Sequence, residues 1–498
     1  MERDKTNPED DAFNVAFLDT KNQQNRKDAR VEKSPLFFSK RLLISILLFL
    51  WNTVIWVIRN NINVAVVEMT SNKTVLQGNL TTASLPEFQW DSKTISLVLG
   101  LIHCGGLLSF TSGFVISKLG GSMSCTLSMI ICGITTFLYP ICLRYNFHLF
   151  LVFRLVTGVF FSLYISCFSE IFARWIPKSE RSMLMTFCYG GFYIGAIIVY
   201  PICGSIATEW GWPMVFYSTG SICTIMAILC PTILKSDPSQ DRSISKKELL
   251  YIIDGIETSS SKKQVAFPYK SILTSAPIGA LCMANIATFC GLTFLLDCLP
   301  LYIKTITGNN TANVGMISSI PSIVTTFMYS FSGVLIVYWK NKTNISSTLH
   351  IFQMYKILMG VALITQTALF LALTLVSNFT IIMLIIVAIR LFTPFNILIV
   401  QLIIVDIAPG YTGMISGIVA FCGSFITIST QMTIGHMTPN HSLEEWNRCF
   451  VLIACLLAIC SAIFTLFGSS DPQPWSLSTT FNEEKGKSLH TSVKLIKK

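Results

Sequence analysis

The stretch Arg59-Asn60-Asn61-Ile62-Asn63-Val64-Ala65-Val66-Val67-Glu68 closes an apolar run that begins at Leu42. A run of that length is what a helix needs to cross a bilayer. An arginine inside it costs roughly 2.5–3.5 kcal/mol at mid-bilayer on insertion scales. A chain tolerates that cost where the charge faces a water-filled cavity and binds something there, so we expect Arg59 to await an anion. The alternative is an arginine near a helix end that snorkels to the headgroups.

The rest of the chain places this run in a series. The protein has 498 residues, 52% hydrophobic and 12% charged, with mean hydropathy +0.60. Soluble globular chains carry about twice that charged fraction. Apolar runs of about 20 residues recur throughout, which marks an all-α polytopic membrane protein. We read twelve transmembrane helices, near 42–68, 94–117, 122–143, 147–173, 183–207, 212–234, 276–303, 313–338, 350–375, 380–405, 412–436 and 447–468. They divide six and six: an N-terminal tail 1–41, a first half 42–234, a linker 235–275, a second half 276–468 and a C-terminal tail 469–498. The linker is rich in Ser and Lys, with one helical pattern near Lys246–Glu257.

The net charge of +10 reads as topology, not nucleic-acid binding, because the basic residues sit between apolar runs and at the termini. Lys118, Arg174, Lys178, Arg181, the linker cluster, Lys340 and Lys342 fall on one side of the bilayer. Lys73, Arg144, Lys304 and Arg448 fall on the other. That bias puts both termini in the cytosol. The polar first stretch is unlike a cleavable signal peptide, so the first span should serve as signal anchor. The sequons at Asn72 and Asn79 then lie in the first outer loop as glycosylation candidates, with another at Asn440 in the last. Asn341 and Asn344 fall inside and should stay bare.

The sixteen cysteines form no C-x-x-C pair and the six histidines no H-x-x-H pattern. We therefore expect no metal site and no disulfide framework. No P-loop, GxGxxG or GxSxG motif is present, so no catalytic residue and no enzyme chemistry is expected. Glycine-rich packing is expected at Gly190, Gly191 and Gly195, and at Gly413, Gly417 and Gly423.

Two six-span halves around a cytoplasmic linker is the layout of the major facilitator superfamily. Gly113-Phe114-Val115-Ile116-Ser117-Lys118, repeated weakly as Gly333–Lys340, resembles its glycine-to-basic loop signature, with Ser117 where aspartate is usual. Several stretches resemble one family within it, the anion and phosphate transporters that include vesicular glutamate transporters, sialin and sodium–phosphate transporters. They are Arg59–Met69, Gln89-Trp90-Asp91, Arg174–Ser182, Gly211-Trp212, Pro300-Leu301-Tyr302, Asp406-Ile407-Ala408-Pro409-Gly410-Tyr411, Glu444-Glu445-Trp446 and Gln473-Pro474-Trp475.

The resemblance implies that Arg59 and the fourth-span Arg154 bind substrate, two guanidiniums that can grip a carboxylate or phosphate bidentately. Thr288, at the position of a seventh-span arginine in the glutamate carriers, and Tyr302 are further substrate-binding candidates. For Arg154 the alternative is a salt bridge without substrate. The departures matter too. The family's coupling glutamate is Phe161 here, its second-span histidine falls near Val98 or Leu99 and not at His103, and Ile403-Ile404 replaces an Asn-His pair. Asp297 and Arg390 lie inside apolar runs outside the family pattern, and are coupling or gating candidates or a pair.

We therefore expect a secondary active transporter of organic or inorganic anions that rocks its halves around a central site. Phosphate, urate, sialic acid, acidic amino acids, nucleotides and drug-like anions all fit two arginines. The drive would be membrane potential or an ion gradient, with Na+ or H+ as coupling ion and no other cofactor. The partners would be the small anion and the lipid bilayer, with no nucleic acid, and the protein a monomer in the plasma membrane or a vesicular or lysosomal one. The alternatives are a transport-inactive receptor or scaffold of the same fold, a channel, or a proton-coupled sialin-like carrier of acidic sugars.

Overall fold

The computed structural model describes residues 36, 39–71, 73–77, 80–84, 86–229, 233–257, 271–272, 274–342, 348–407 and 412–469. The sequons at Asn72, Asn79 and Asn344 and the stretch Ala408–Tyr411 lie outside them. Among the described residues ten helices are long and apolar enough to cross a membrane. Two shorter apolar ones, Ser92–Leu108 and Trp212–Ile228, stand where the second and sixth passes were expected.

The first half opens with α1 (Lys40–Met69), capped by the Ser39 hydroxyl, which accepts from the Leu42 amide. The second pass is composite: α2 (Ser92–Gly100), a 3-10 segment (Leu101–Thr111) and α3 (Ser112–Leu119). Then come α4 (Gly121–Tyr145), α5 (Phe147–Trp175), α6 (Lys178–Trp210) and α7 (Trp212–Leu229). The sharp joints at Gly120 and Gly211 have φ of +80° and +86°, where a side chain would strain the backbone. In the linker, α8 (Lys246–Glu257) coincides with the helical pattern read there.

The second half departs from expectation at its start. The seventh pass is two helices, α9 (Ala276–Asp297) and α10 (Leu299–Thr307), broken at Cys298. Pro300 explains the break. It has no N–H for the carbonyl four residues back, and that carbonyl belongs to Leu296. The half continues as α11 (Thr311–Lys342), α12 (Thr348–Leu373), α13 (Phe379–Ile407), α14 (Thr412–Met437) and α15 (Leu443–Phe467). Ser442 and Glu445 form a reciprocal capping box on α15. The all-α reading needs one amendment, since β1 (Lys73–Gln77) and β2 (Leu80–Ser84) pair antiparallel in the loop after α1.

Buried apolar residues segregate by half. One cluster runs from Ile272 to Phe464, and two others run from Ile44 to Ile252 and from Ile62 to Phe216. Large apolar side chains such as Phe327, Val334, Leu384 and Ile364 point outward, as a lipid-facing belt requires. Lipid is as apolar as leucine, so close packing holds these helices together. A Cβ on Gly191 would lie 2.1 Å from the Phe49 carbonyl oxygen of α1, and only glycine lets α6 approach that closely.

The linker marks one end of the bundle, because Lys40 and Arg41 at the start of α1 donate backbone N–H groups to Glu248 of α8. Hydrogen bonds between the halves gather toward the opposite end. The Thr311 hydroxyl donates to Glu68, Ser92 and Thr438 share a hydrogen bond of 2.8 Å, and the Ala312 amide donates to the Thr208 hydroxyl at 3.0 Å.

Candidate functional site

Where the break in α9–α10 meets α1, the two halves share one polar network. Helical spacing stacks Trp56, Asn60 and Asn63 along one face of α1, with Arg59 beside them. The Asn60 amide donates back to the Trp56 carbonyl at 2.8 Å, and its Oδ1 accepts from Arg59 Nη1 at 2.8 Å. The Arg59 guanidinium lies 4.8 Å from the Trp56 ring centre, within cation–π range. Arg59 is thus aimed by its own helix and is 6% exposed.

It is aimed at Asp297. Arg59 Nη1 stands 3.9 Å from Asp297 Oδ1, and Asn63 Nδ2 donates to that same oxygen at 3.1 Å. The other oxygen, Oδ2, meets His103 Nε2 and Gln431 Nε2, each at 3.1 Å. Asp297 is 3% exposed and ends a helix, where the backbone dipole disfavours a carboxylate. The cation and the amide and imidazole donors offset that cost. The Leu296 carbonyl freed by Pro300 accepts from the Tyr200 hydroxyl at 2.8 Å and from Asn63 Nδ2 at 3.4 Å. Arg59, Asn63, His103 and Tyr200 belong to the first half, and Asp297 and Gln431 to the second.

His103 occupies a decisive place. Its Nε2 lies 3.4 Å from Arg59 Nη2 as well as 3.1 Å from Asp297. A carboxylate only accepts, so Nε2 must carry the hydrogen toward Asp297 and then cannot accept from Arg59. Moving one proton therefore redistributes the bonds that join the halves. The 3-10 segment that carries His103 packs tightly on α5: a Cβ on Gly105 would sit 2.0 Å from the Gly158 backbone.

Arg154 is wholly buried. Its Nε reaches the Val98 carbonyl at 3.4 Å and its Nη2 the Arg59 carbonyl at 3.5 Å. It braces α5 against α1 and α2, and among the described residues no carboxylate pairs with it directly. Its Nη1 is buried without a hydrogen-bond partner. Tyr139 first, then Asp297 and His103, lie within its electrostatic reach.

The remaining candidates stand apart. The Thr288 hydroxyl is spent on the Ala284 carbonyl of its own helix at 2.8 Å. Tyr302 packs edge-on to Trp446 and Phe450, ring centres 5.4 and 5.3 Å away, and is a wedge of α10 against α15. Asp297 pairs with Arg59 and His103 and not with Arg390, the pairing the sequence left open. His103, Asn63, Gln431 and Tyr200 were not singled out from sequence. A histidine in an apolar run and an asparagine one turn beyond Arg59 were visible signals. Gln431 and Tyr200 offered none.

The sequence profile of the Major Facilitator Superfamily matches residues 48–429. The chain belongs to that superfamily. Among curated relatives, the mouse (Mus musculus) vesicular glutamate transporter 2 is 26% identical over 457 residues, covering 91% of this chain and 78% of that protein. Human sialin is 26% identical over 468 residues, covering 90% and 93%. Among solved structures, a bacterial homologue of the human lysosomal transporter spinster, inward-facing and occupied, superposes with a TM-score of 0.62 at 13% identity over 87% of this chain and 97% of that one. A D-xylose–proton symporter superposes with a TM-score of 0.64 at 13% identity over 86% and 99%. This Major Facilitator Superfamily member is thus a multi-pass membrane protein and a secondary active transporter of a small molecule. The place where its halves meet is where such transporters bind their cargo.

Proposed function

We propose that the cargo is a small organic or inorganic anion and that Arg59 is its seat. The observation that carries this reading is that Arg59 is already engaged, at 3.9 Å, by a carboxylate of the opposite half. Asp297 holds the guanidinium that the cargo would take. An arriving anion competes with it for the guanidinium, and the contacts of Asp297 with Asn63 and His103 break when the halves part on that side. The exchange keeps Arg59 neutralised throughout, which a buried guanidinium requires. The relatives' names, vesicular glutamate transporter and sialin, accord with an anionic cargo.

In this reading the linker end faces the cytosol with both termini, the protein acts as a monomer, and it resides in the plasma membrane or a vesicular or lysosomal one. Membrane potential drives a net negative charge by about 2.3 kcal/mol per 100 mV. Phe161 supplies no acid for proton symport of the sialin kind, which favours potential or a sodium gradient. A second reading has its own observation: the His103–Asp297 contact of 3.1 Å places two proton-accepting groups at the junction of the halves, so H+ could couple there instead.

Uptake into proteoliposomes tests both. Potential, proton gradient and sodium gradient are imposed one at a time with a panel of labelled anions. Saturable uptake driven by a positive-inside potential, and lost in Arg59→Ala and Arg154→Ala, is expected. Uptake that needs a proton gradient and disappears in His103→Gln selects the second reading. No uptake of any anion by folded protein defeats both in favour of a receptor or scaffold.

A further inference from the structure

Arg390 is the buried charge that the site above does not use. It lies in the middle of α13 and is 3% exposed. Among the described residues no hydrogen bond or ion pair reaches it, and its Nη1 is fully buried without a partner. Pro394 follows four residues on, so the Arg390 carbonyl also lacks its helical N–H. The ionisable groups that act on the guanidinium are the hydroxyls of Tyr193 and Tyr200. Tyr193 meets Tyr329 of α11 in a tilted ring contact, ring centres 4.6 Å apart, and Arg390 lies within electrostatic reach of this junction of α6 and α11. Tyr200 feels Arg59, Asp297 and Arg390 together. Its hydroxyl meets the Leu296 carbonyl at 2.8 Å, next to Asp297 in the chain.

Charge balance sharpens this. Among the described residues, the charged groups buried away from both ends of the bundle are Arg59, Arg154, Arg390 and Asp297. Three guanidiniums against one carboxylate leave a formal excess of two positive charges. A buried guanidinium left without a counter-charge is heavily penalised. A monoanion on Arg59 would answer one excess charge and leave Arg390 bare.

We propose that Arg390 is a second anion-binding position and that the substrate carries two separated anionic groups, one held by Arg59 of the first half and the other by Arg390 of the second. This rests on the anion-carrier reading and narrows it. A dianion bridging the halves gives each half its own grip, so closure around cargo is stabilised in a way a monoanion cannot match. Tyr193 and Tyr329, in ring contact at the junction of α6 and α11, offer aromatic faces suited to the substrate's middle.

The test measures binding to purified full-length protein in nanodiscs. The probes are the linear dicarboxylates from malonate to suberate, each paired with its own monoamide, which keeps the length and removes one charge. At least one dicarboxylate is expected to bind roughly ten- to a hundredfold tighter than its monoamide, the range of a charge-assisted hydrogen-bonded contact. Arg390→Gln should collapse that ratio to near one, Arg390→Lys should restore part of it, and Arg59→Gln should abolish binding of both members. The proposal is overturned if dicarboxylate and monoamide bind wild-type protein alike, or if Arg390→Gln leaves the ratio intact. Should Arg390→Gln fail to elute as monodisperse protein, the comparison of Arg390→Lys with wild type decides on the same ratio. Wild-type protein that binds none of the probes removes the anion-carrier reading itself, an outcome distinct from a lost preference for dianions.

Discussion

At the scale of single residues, the pairing of Arg59 with Asp297 makes a measurable claim. Both side chains are nearly buried, so removing either leaves the other uncompensated. Arg59→Gln and Asp297→Asn alone should each lower the thermal stability of the purified protein. The double variant should recover part of the loss, with a coupling energy of about 0.5–3 kcal/mol in a double-mutant cycle. Strict additivity would mean that the two charges do not sense each other. Arg154 differs because it bonds to backbone carbonyls at 3.4 and 3.5 Å. Arg154→Lys keeps the charge but not the fork that reaches both, and uptake by that variant should fall with the loss of Arg59 placement. Arg154→Lys uptake equal to wild type would show that charge alone is needed there.

At the scale of elements, the break between α9 and α10 connects a local rule to the site. Pro300 frees the Leu296 carbonyl, and Tyr200 and Asn63 of the other half take it. Pro300→Ala gives that carbonyl an intrahelical donor. Pro300 stands in the first turn of α10, where proline costs a helix little, so the variant should melt close to the wild-type temperature. Each net hydrogen bond lost between the halves is worth about 1 kcal/mol, so transport should slow several-fold. Slower transport together with a lower melting temperature would mean simple damage and would sink the argument. The 3-10 segment is the other element that matters, since it carries His103 while pressed against Gly158. A 3-10 stretch inside a helix is where hinges are found, and here one holds a residue that touches both partners of the ion pair.

At the scale of the molecule, the linker helix is fastened to the first half. Arg41 is wholly buried, with Nη1 2.5 Å from Glu180 and Nε 3.2 Å from Glu248, and its guanidinium lies 4.7 Å from the Tyr251 ring centre. Lys40 adds a contact of 3.2 Å to Asp241. The linker helix α8 is therefore expected to move with the first half. Glu248→Gln removes a charged partner from Arg41 and should cost about 1.5–3 kcal/mol, read as a lower melting temperature. Unchanged stability would show that the linker hangs free of the bundle.

Much of this was legible in the chain itself. Long apolar runs dictate helices, because a backbone in lipid must satisfy its own hydrogen bonds. The even division around a polar linker set the two-half plan, the cost of a charge in lipid singled out Arg59, Arg390 and Asp297, and the family resemblance singled out Arg154. Partners were another matter. Arg59 and Asp297 lie more than two hundred residues apart, and the contact of α1 with the broken seventh pass depends on how two bundles dock, which no periodicity records. His103 entered the site through the 3-10 twist of its segment, and Gln431 through α14 packing beside α2. The sequence determined which charges had to be buried; only the tertiary structure decided that one is answered from the opposite half while Arg390, among the described residues, has no counter-charge.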